Sequence, residues 1–298
     1  MEKGLVSVLC LSMNHEKYVE RGFNTIFKQT YKKIEILYVD NNSKDKTFEI
    51  ADRLFKKSGY SYKGFKRTEN HGISANLNFM LREARGEYIA VLSGDDWWEE
   101  DNLELKVNLF LKDTEVGLVY GNGVKYFEKE NRQHLFYDSE QKSGYLFRDL
   151  LQGNLFFAVS VVSRHEALRS IGFFDEHLPM EDWDMYLRMA EKYKIAYLHK
   201  PTCVSRITGN NLSSNIEFMN EGYKYYFKKY AQYPEMTQAK RNIKLYQAYQ
   251  LSFYSPGWKS LVYILRNLQF NSSYLKQIVR CLGGMVGIKF GNKSVSGK

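Results

Sequence analysis

Over the first 120 residues, apolar runs of strand length alternate with segments whose apolar residues recur every three or four positions. Residues 5–11, 34–39 and 88–92 are short β-rich runs bounded by polar turns, and they predict strands. Residues 16–28, 45–57 and 73–85 predict helices. Val19, Phe23, Ile26 and Phe27 form the apolar face of the first, and Phe48, Ile50, Ala51, Leu54 and Phe55 that of the second. This alternation predicts an α/β fold, a Rossmann-like and mostly parallel sheet flanked by helices with right-handed crossovers. Such sheets bind ligands beyond the carboxyl ends of their strands. The turns expected there are Ser12-Met13-Asn14, Asp40-Asn41-Asn42-Ser43-Lys44-Asp45 and Ser93-Gly94-Asp95-Asp96-Trp97-Trp98, all opening on one edge.

From about 115 to 210 the pattern loosens. Residues 116–120 and 159–162 read as strands, 164–171 and 182–193 as helices. Past Asn211 only helices are expected, with Pro234 and Pro256 in first turns. One apolar stripe there is Trp258, Leu261, Val262, Leu265 and Leu268; another is Leu275, Ile278, Val279 and Leu282, after a break at Asn271. The chain therefore divides into an α/β domain, 1–212, and a C-terminal helical extension, 213–298.

Charge sharpens that division. The net charge is +9, yet residues 211–298 hold 13 Lys or Arg against three Glu, while residues 1–210 are close to neutral. A basic, amphipathic extension on a neutral body suits an anionic surface, and a solvated helical face is the plainer account. No RRM, KH or zinc-finger signature is present, so membrane is favoured over nucleic acid. No apolar run approaches the ~18 residues that span a bilayer. The run at 5–11 leads straight into Asn14-His15-Glu16-Lys17 with no small-x-small site, and reads as a strand rather than a signal peptide. Cys10, Cys203 and Cys281 lie far apart, which excludes a zinc ribbon and suits a reducing cytoplasm.

P-loop, dinucleotide-binding, nucleophile-elbow and H-E-x-x-H motifs are all absent. Carboxylates at strand ends remain. Asp95 and Asp96 form a plausible seat for Mg²⁺ or Mn²⁺ bridging two phosphates, since hard cations want oxygen ligands. The competing account makes them helix N-terminal acids before 103–111. Asp40 is equally a turn residue. Glu181-Asp182-Trp183-Asp184 opens an amphipathic helix, where acids are common. The functional alternative is a general base for an attacking hydroxyl.

Taken in order, these residues resemble the family 2 glycosyltransferases of the GT-A fold, of bacterial surface-polysaccharide type. The blocks are Ser7-Val8 with Asn14, Gln29-Thr30-Tyr31, Glu35 to Asp40, Asn70-His71-Gly72, Gly86-Glu87-Tyr88-Ile89 with Asp95-Asp96, Gly172 to Glu176, and Glu181 to Asp184 with Leu187-Arg188. The match covers about residues 4–213. The resemblance implies inverting transfer of a sugar from a nucleotide donor, usually UDP-linked, to a hydroxyl of a surface-glycan or lipid-linked oligosaccharide acceptor such as capsule, O-antigen or lipo-oligosaccharide. By position, Ser12 and Asp40 would hold the nucleotide base, Asn78 would fit the donor-site Asn, and Asp95 and Asp96 would bind the divalent cation and ribose–diphosphate. Asp182 would be the catalytic base. Trp97 and Trp98 would wall the sugar or pack in the core. The implied location is cytoplasmic, with the extension on the inner membrane face near a lipid-linked acceptor. Packing on a second subunit is the alternative role for that extension.

Several positions depart from the family pattern. Ser93 stands where a first Asp is common, Asn41 replaces an Asp, and Leu77 replaces an Arg. An Arg-x-His element that can supply a metal ligand reads Arg206-Ile207-Thr208. The histidines, His15 and His71 among them, show no ligand spacing. Two other readings therefore stand beside the enzyme: a sugar-nucleotide or glycan-binding protein without turnover, and a sugar nucleotidyltransferase. The latter would need a Gly-rich basic loop after the first strand, which Ser12-Met13-Asn14 does not supply.

Overall fold

The computed structural model describes residues 1–178, 180–209, 211–212, 215–254, 257–266 and 272–285. By packing, the chain forms two units: Met1–Phe147 with Leu155–Tyr225, and Arg148–Asn154 with the residues from Tyr226 onward.

The first unit is built on one sheet. Strands β1 (Glu2–Ser12), β2 (Ile34–Asp40), β3 (Ser61–Lys66) and β4 (Gly86–Ser93) run parallel in the order β3-β2-β1-β4. Helices α1 (Val19–Phe27), α2 (Thr47–Lys56) and α3 (Ile73–Glu83) connect them. The sheet continues through β5 (Trp97–Trp98), β6 (Val116–Phe127), β7 (Arg132–Leu135), β8 (Val162–Arg164) and β9 (Lys194–Ile207). Here β8 lies antiparallel between β4 and β6, β9 runs parallel to β6, and β5 and β7 pair antiparallel with β9 and β6. Helices α4 (Asn102–Lys112), α6 (His165–Ser170) and α7 (Glu181–Lys192) complete this unit, and α5 (Phe147–Leu150) leads into the second.

The predicted fold class matches the structure, and the alternation explains why. Val6, Val8 and Cys10 of β1, with Ile36 and Tyr38 of β2, present one face of the sheet to Phe23 of α1 and Phe55 of α2. Those rings close on one another, Phe23 to Phe55 at 4.9 Å and Tyr38 to Phe55 at 5.5 Å between centroids. All seven residues of β2 are buried, as a strand between two others requires.

The sequence pattern missed β3, Ser-Tyr-Lys-Gly-Phe-Lys, because an edge strand half open to water carries no apolar run. Residues 158–160 form a 3₁₀ turn, so the strand expected at 159–162 begins only at Val162. Trp97 and Trp98 are core residues: they form β5, are 8% and 3% exposed, and pair with Val204 and Cys203.

The second unit is helical. It takes α8 (Ile216–Lys229) from Tyr226, then α9 (Met236–Tyr254), α10 (Trp258–Arg266) and α11 (Ser272–Met285). Ala248, Leu261, Ile264 and Cys281 form its small core, flanked by Leu245 and Ile278. Segment 148–154 belongs here because the Tyr226 hydroxyl donates to the Leu151 carbonyl (2.6 Å) and Arg148 pairs with Glu235. Both expected stripes are split. Leu261 is buried, but Trp258 and Leu265 are exposed, as are Leu275, Val279 and Leu282. Pro234 precedes α9 by one turn residue; Pro256, Leu268 and Asn271 lie outside the described residues. No helix among the described residues is long and apolar enough to cross a membrane. All three cysteines are free and buried.

Candidate active site

Parallel pairing puts the three informative turns together. Ser12 lies opposite Asp40 where β1 and β2 end, and Leu11 lies opposite Ser93 at the end of β4. Ser12 Oγ shares a 2.8 Å hydrogen bond with the Tyr38 hydroxyl, and burial raises that phenol above its ordinary range, so it stays neutral. Asp40 is fully buried: Oδ2 accepts from the Ser43 amide (2.9 Å) and Oδ1 from the Ser43 hydroxyl. The same Ser43 oxygen accepts from the Asn14 amide (2.8 Å), tying the first turn to the second. Asn41 continues the lacing, donating to Asn70 Oδ1 (2.8 Å) and accepting from the His71 amide (3.0 Å). Asn14 and Asn42 take positive φ, 56° and 65°, a conformation asparagine tolerates better than most residues.

The acid pair does not begin a helix. Asp95 and Asp96 lie between β4 and β5, while α4 starts later, with Asp101 at its N-cap. Ser93 Oγ donates to Asp95 Oδ1 (2.6 Å). Asp96 Oδ1 accepts from the Arg206 amide (2.9 Å), and the Ser205 side chain also hydrogen-bonds to this carboxyl. Burial first, and the Asp95 charge second, push the Asp96 carboxyl well above the usual carboxylate range. Beneath the pair sits the buried Arg206 guanidinium. Its Nε donates to the Asp95 carbonyl (3.2 Å) and another nitrogen to Glu128 Oε1 (2.8 Å), and Tyr18 donates to Glu128 Oε2 (2.9 Å). The rings of Tyr18, Trp97 and Tyr126 surround it at 4.6, 5.1 and 5.5 Å. Gly22 of α1 permits this packing, since a Cβ there would lie 2.6 Å from the Asp96 carbonyl.

Asn78 and Asp182 are held on other elements. Asn78 clamps the segment ahead of α7: its amide donates to the Phe174 carbonyl (2.9 Å) and Glu176 Oε1 (2.8 Å), and its oxygen accepts from the Phe174 amide (3.0 Å). Both amide hydrogens are thereby engaged. Asp182 lies in the first turn of α7 and accepts from the Trp183 amide (2.7 Å). Its neighbour Glu181 has its carboxyl pushed up to about 8, first by burial and then by the Asp182 charge.

The chain matches the family described as "Glycosyl transferase family 2" over residues 7–178. It belongs to that family. An uncharacterized glycosyltransferase of Haemophilus influenzae is 30% identical over 217 residues, spanning 72% of this chain and 84% of that protein. Chondroitin synthase of Pasteurella multocida is 25% identical over 314 residues, 91% of this chain but only 31% of the synthase. Among solved structures, S. aureus TarS 1–349 in complex with UDP-GlcNAc aligns with a TM-score of 0.60 at 15% identity, over 99% of this chain and 95% of that one. The mannosyltransferase PcManGT of Pyrobaculum calidifontis, in complex with GDP-Man and Mn²⁺, aligns at 0.63 and 19% identity, over 94% and 86%. These likenesses establish the GT-A fold, and the family makes the protein a sugar-nucleotide-dependent glycosyltransferase.

Among the described residues of this glycosyltransferase, no three His, Cys, Asp or Glu side chains form a metal cage. A cation bound with a diphosphate needs only one or two protein ligands, the phosphates and water supplying the rest. Asp95 fits that role, and beside it His15 Nδ1 is buried without a hydrogen-bond partner, 3.8 Å from Asp95 Oδ1. The donor set therefore suits a divalent cation. The Thr208 amide and hydroxyl both donate to Asn211 Oδ1 (2.9 and 3.2 Å).

Sequence reasoning missed Arg206, Glu128, Tyr18, Ser43 and His15. The signal for Arg206 lies in Cys203-Val204-Ser205-Arg206-Ile207, where a single charge interrupts a short apolar stretch.

Proposed function

We propose that this glycosyltransferase moves one sugar, with inversion, from a UDP-linked donor to a hydroxyl of a surface-glycan or lipid-linked oligosaccharide acceptor. The observation that carries the donor site is the convergence of Ser12, Asp40 and Asp95 on one sheet edge. A carboxylate offers about four acceptor positions, so the two that Ser43 uses on Asp40 leave capacity for a base N–H. The titles of the TarS and PcManGT complexes, naming UDP-GlcNAc and GDP-Man, support a nucleotide diphosphate-sugar at such an edge. Asp182 takes the proton of the acceptor hydroxyl as that oxygen bonds to the anomeric carbon. The bond from that carbon to the diphosphate breaks, and UDP leaves. Asp95 holds the divalent cation, which when bound neutralises charge growing on the leaving diphosphate. Asp96 and Asn78 act as positioning residues, the first through Arg206 and the second through the segment ahead of α7.

The test is UDP release from a panel of UDP-sugars with and without Mn²⁺. Metal-dependent release from one donor fixes that donor. Tight UDP binding with neither hydrolysis nor transfer to any acceptor supports a binding protein instead. No UDP binding removes the nucleotide assignment.

The second unit supports a peripheral place on an anionic membrane. Leu275, Val279 and Leu282, at helical spacing on α11, are exposed beside Lys276, and α10 exposes Trp258, Leu265 and Arg266. Sedimentation with vesicles of anionic phospholipid, and not of phosphatidylcholine alone, is expected. Leu275→Ser with Val279→Ser should abolish it while leaving UDP release unchanged.

A further inference from the structure

His15 and Asp95 face each other across an unusual gap. The Nδ1 atom of His15 is shut off from solvent and makes no hydrogen bond, and it lies 3.8 Å from Asp95 Oδ1. That distance is too long for a hydrogen bond. A buried polar atom left unmade costs about 1–3 kcal/mol, so the arrangement calls for a third atom between the two. Ligand bonds of about 2.1 Å from an imidazole nitrogen and a carboxylate oxygen span such a gap at an open angle.

The surroundings hold both side chains in place. The His15 amide donates to Thr47 Oγ1 (2.7 Å), and its carbonyl accepts from the amides of Tyr18 (2.8 Å) and Val19 (3.0 Å). The ring stands edge-on to Tyr18, with centroids 6.2 Å apart. Ser93 fixes Asp95 from the other side. Gly94 leaves the gap clear, since a Cβ there would come within 3.1 Å of Nδ1 and 2.7 Å of Val19 Cγ1.

We propose that His15 Nδ1 and the Asp95 carboxylate are the two protein ligands of the divalent cation in the donor complex. The inference rests on the nucleotide-donor reading above. It requires the imidazole proton on Nε2, leaving the Nδ1 lone pair directed at the gap. A nitrogen ligand also predicts a preference for Mn²⁺ over Mg²⁺, because imidazole suits the transition metals better.

The experiment is pulsed EPR of the full chain with Mn²⁺ and UDP, using unlabelled protein and protein carrying ¹⁵N-histidine. Modulation from a directly bound nitrogen, changing with the label and lost in His15→Ala, is expected. The Mn²⁺ dissociation constant of that variant should rise at least about tenfold while UDP stays bound. A Mn²⁺–UDP complex without histidine nitrogen modulation would overturn the proposal, a bridging water then filling the gap. UDP binding with no bound Mn²⁺ would overturn it too. Absence of UDP binding would remove the donor reading and this inference together.

Discussion

Two pairs of adjacent carboxylates, Asp95-Asp96 at a strand end and Glu181-Asp182 at a helix start, solve the same electrostatic problem in different ways. In each pair one carboxyl is pushed upward, Asp96 well above its usual range and Glu181 to about 8, chiefly by burial and then by its neighbour's charge. The strand-end pair is tied down by a distant segment: the Arg206 amide holds the Asp96 carboxyl while its guanidinium reaches the Asp95 carbonyl. The helix-start pair rests on the first turn of its own helix, where the Trp183 amide donates to Asp182 and the helix dipole favours negative charge. In the proposed reading, the helix-start pair sets the proton-holding acid Glu181 beside the general base Asp182.

The comparison is broken most severely at Asp182. Asp182→Asn should lower kcat by about 10³-fold, with donor KM changed less than about twofold, in a transfer assay with a defined acceptor. It should also bring the Glu181 carboxyl down from about 8, since the Asp182 charge is one of its two raising causes, as carbon-13 NMR of labelled Glu would show. An unchanged kcat would remove Asp182 as base.

Arg206→Met comes next. It leaves Glu128 without its buried cation and withdraws a donor from the Asp95 carbonyl, so urea unfolding should show a loss of about 3 kcal/mol. A stability equal to wild type would refute the tie between the distant strand and the acid pair.

Asp95→Asn should act on the donor rather than on the base. UDP-sugar affinity in Mn²⁺ should fall about tenfold, with little change when metal is withheld. Equal losses with and without metal would move Asp95 off the cation.

The smallest effect sharpens the contrast through pH. The Glu181 carboxyl lies near 8 in the folded chain against an ordinary 4.5, so between those values the folded state binds more protons than the unfolded state. Stability then falls as pH rises through that window. Glu181→Gln removes this dependence, so its Tm relative to wild type should rise steadily from pH 5 to pH 8. A constant difference would show that Glu181 is not the proton-holding member.

Much of this protein follows from local pattern. Apolar alternation and three- to four-residue spacing placed β1, β2, β4 and helices α1 to α3, and strand-end polarity located Ser12, Asp40 and Asp95, because those signals lie within a few residues of one another. Tertiary structure alone decided the rest. Edge strand β3 has no apolar run because only one neighbour and half its surface need covering. Arg206 meets the acid pair across 110 residues of chain, and Ser93, Asp95 and His15 gather only once β1 and β4 pair. The outward turn of Leu275, Val279 and Leu282 follows from α11 burying Cys281 and Ile278 in the cluster with Ala248, Leu261 and Ile264, a choice between faces that periodicity cannot make. Short-range chemistry fixes which elements form, whereas partners far apart in sequence acquire their charge, burial and distance only from the packed whole.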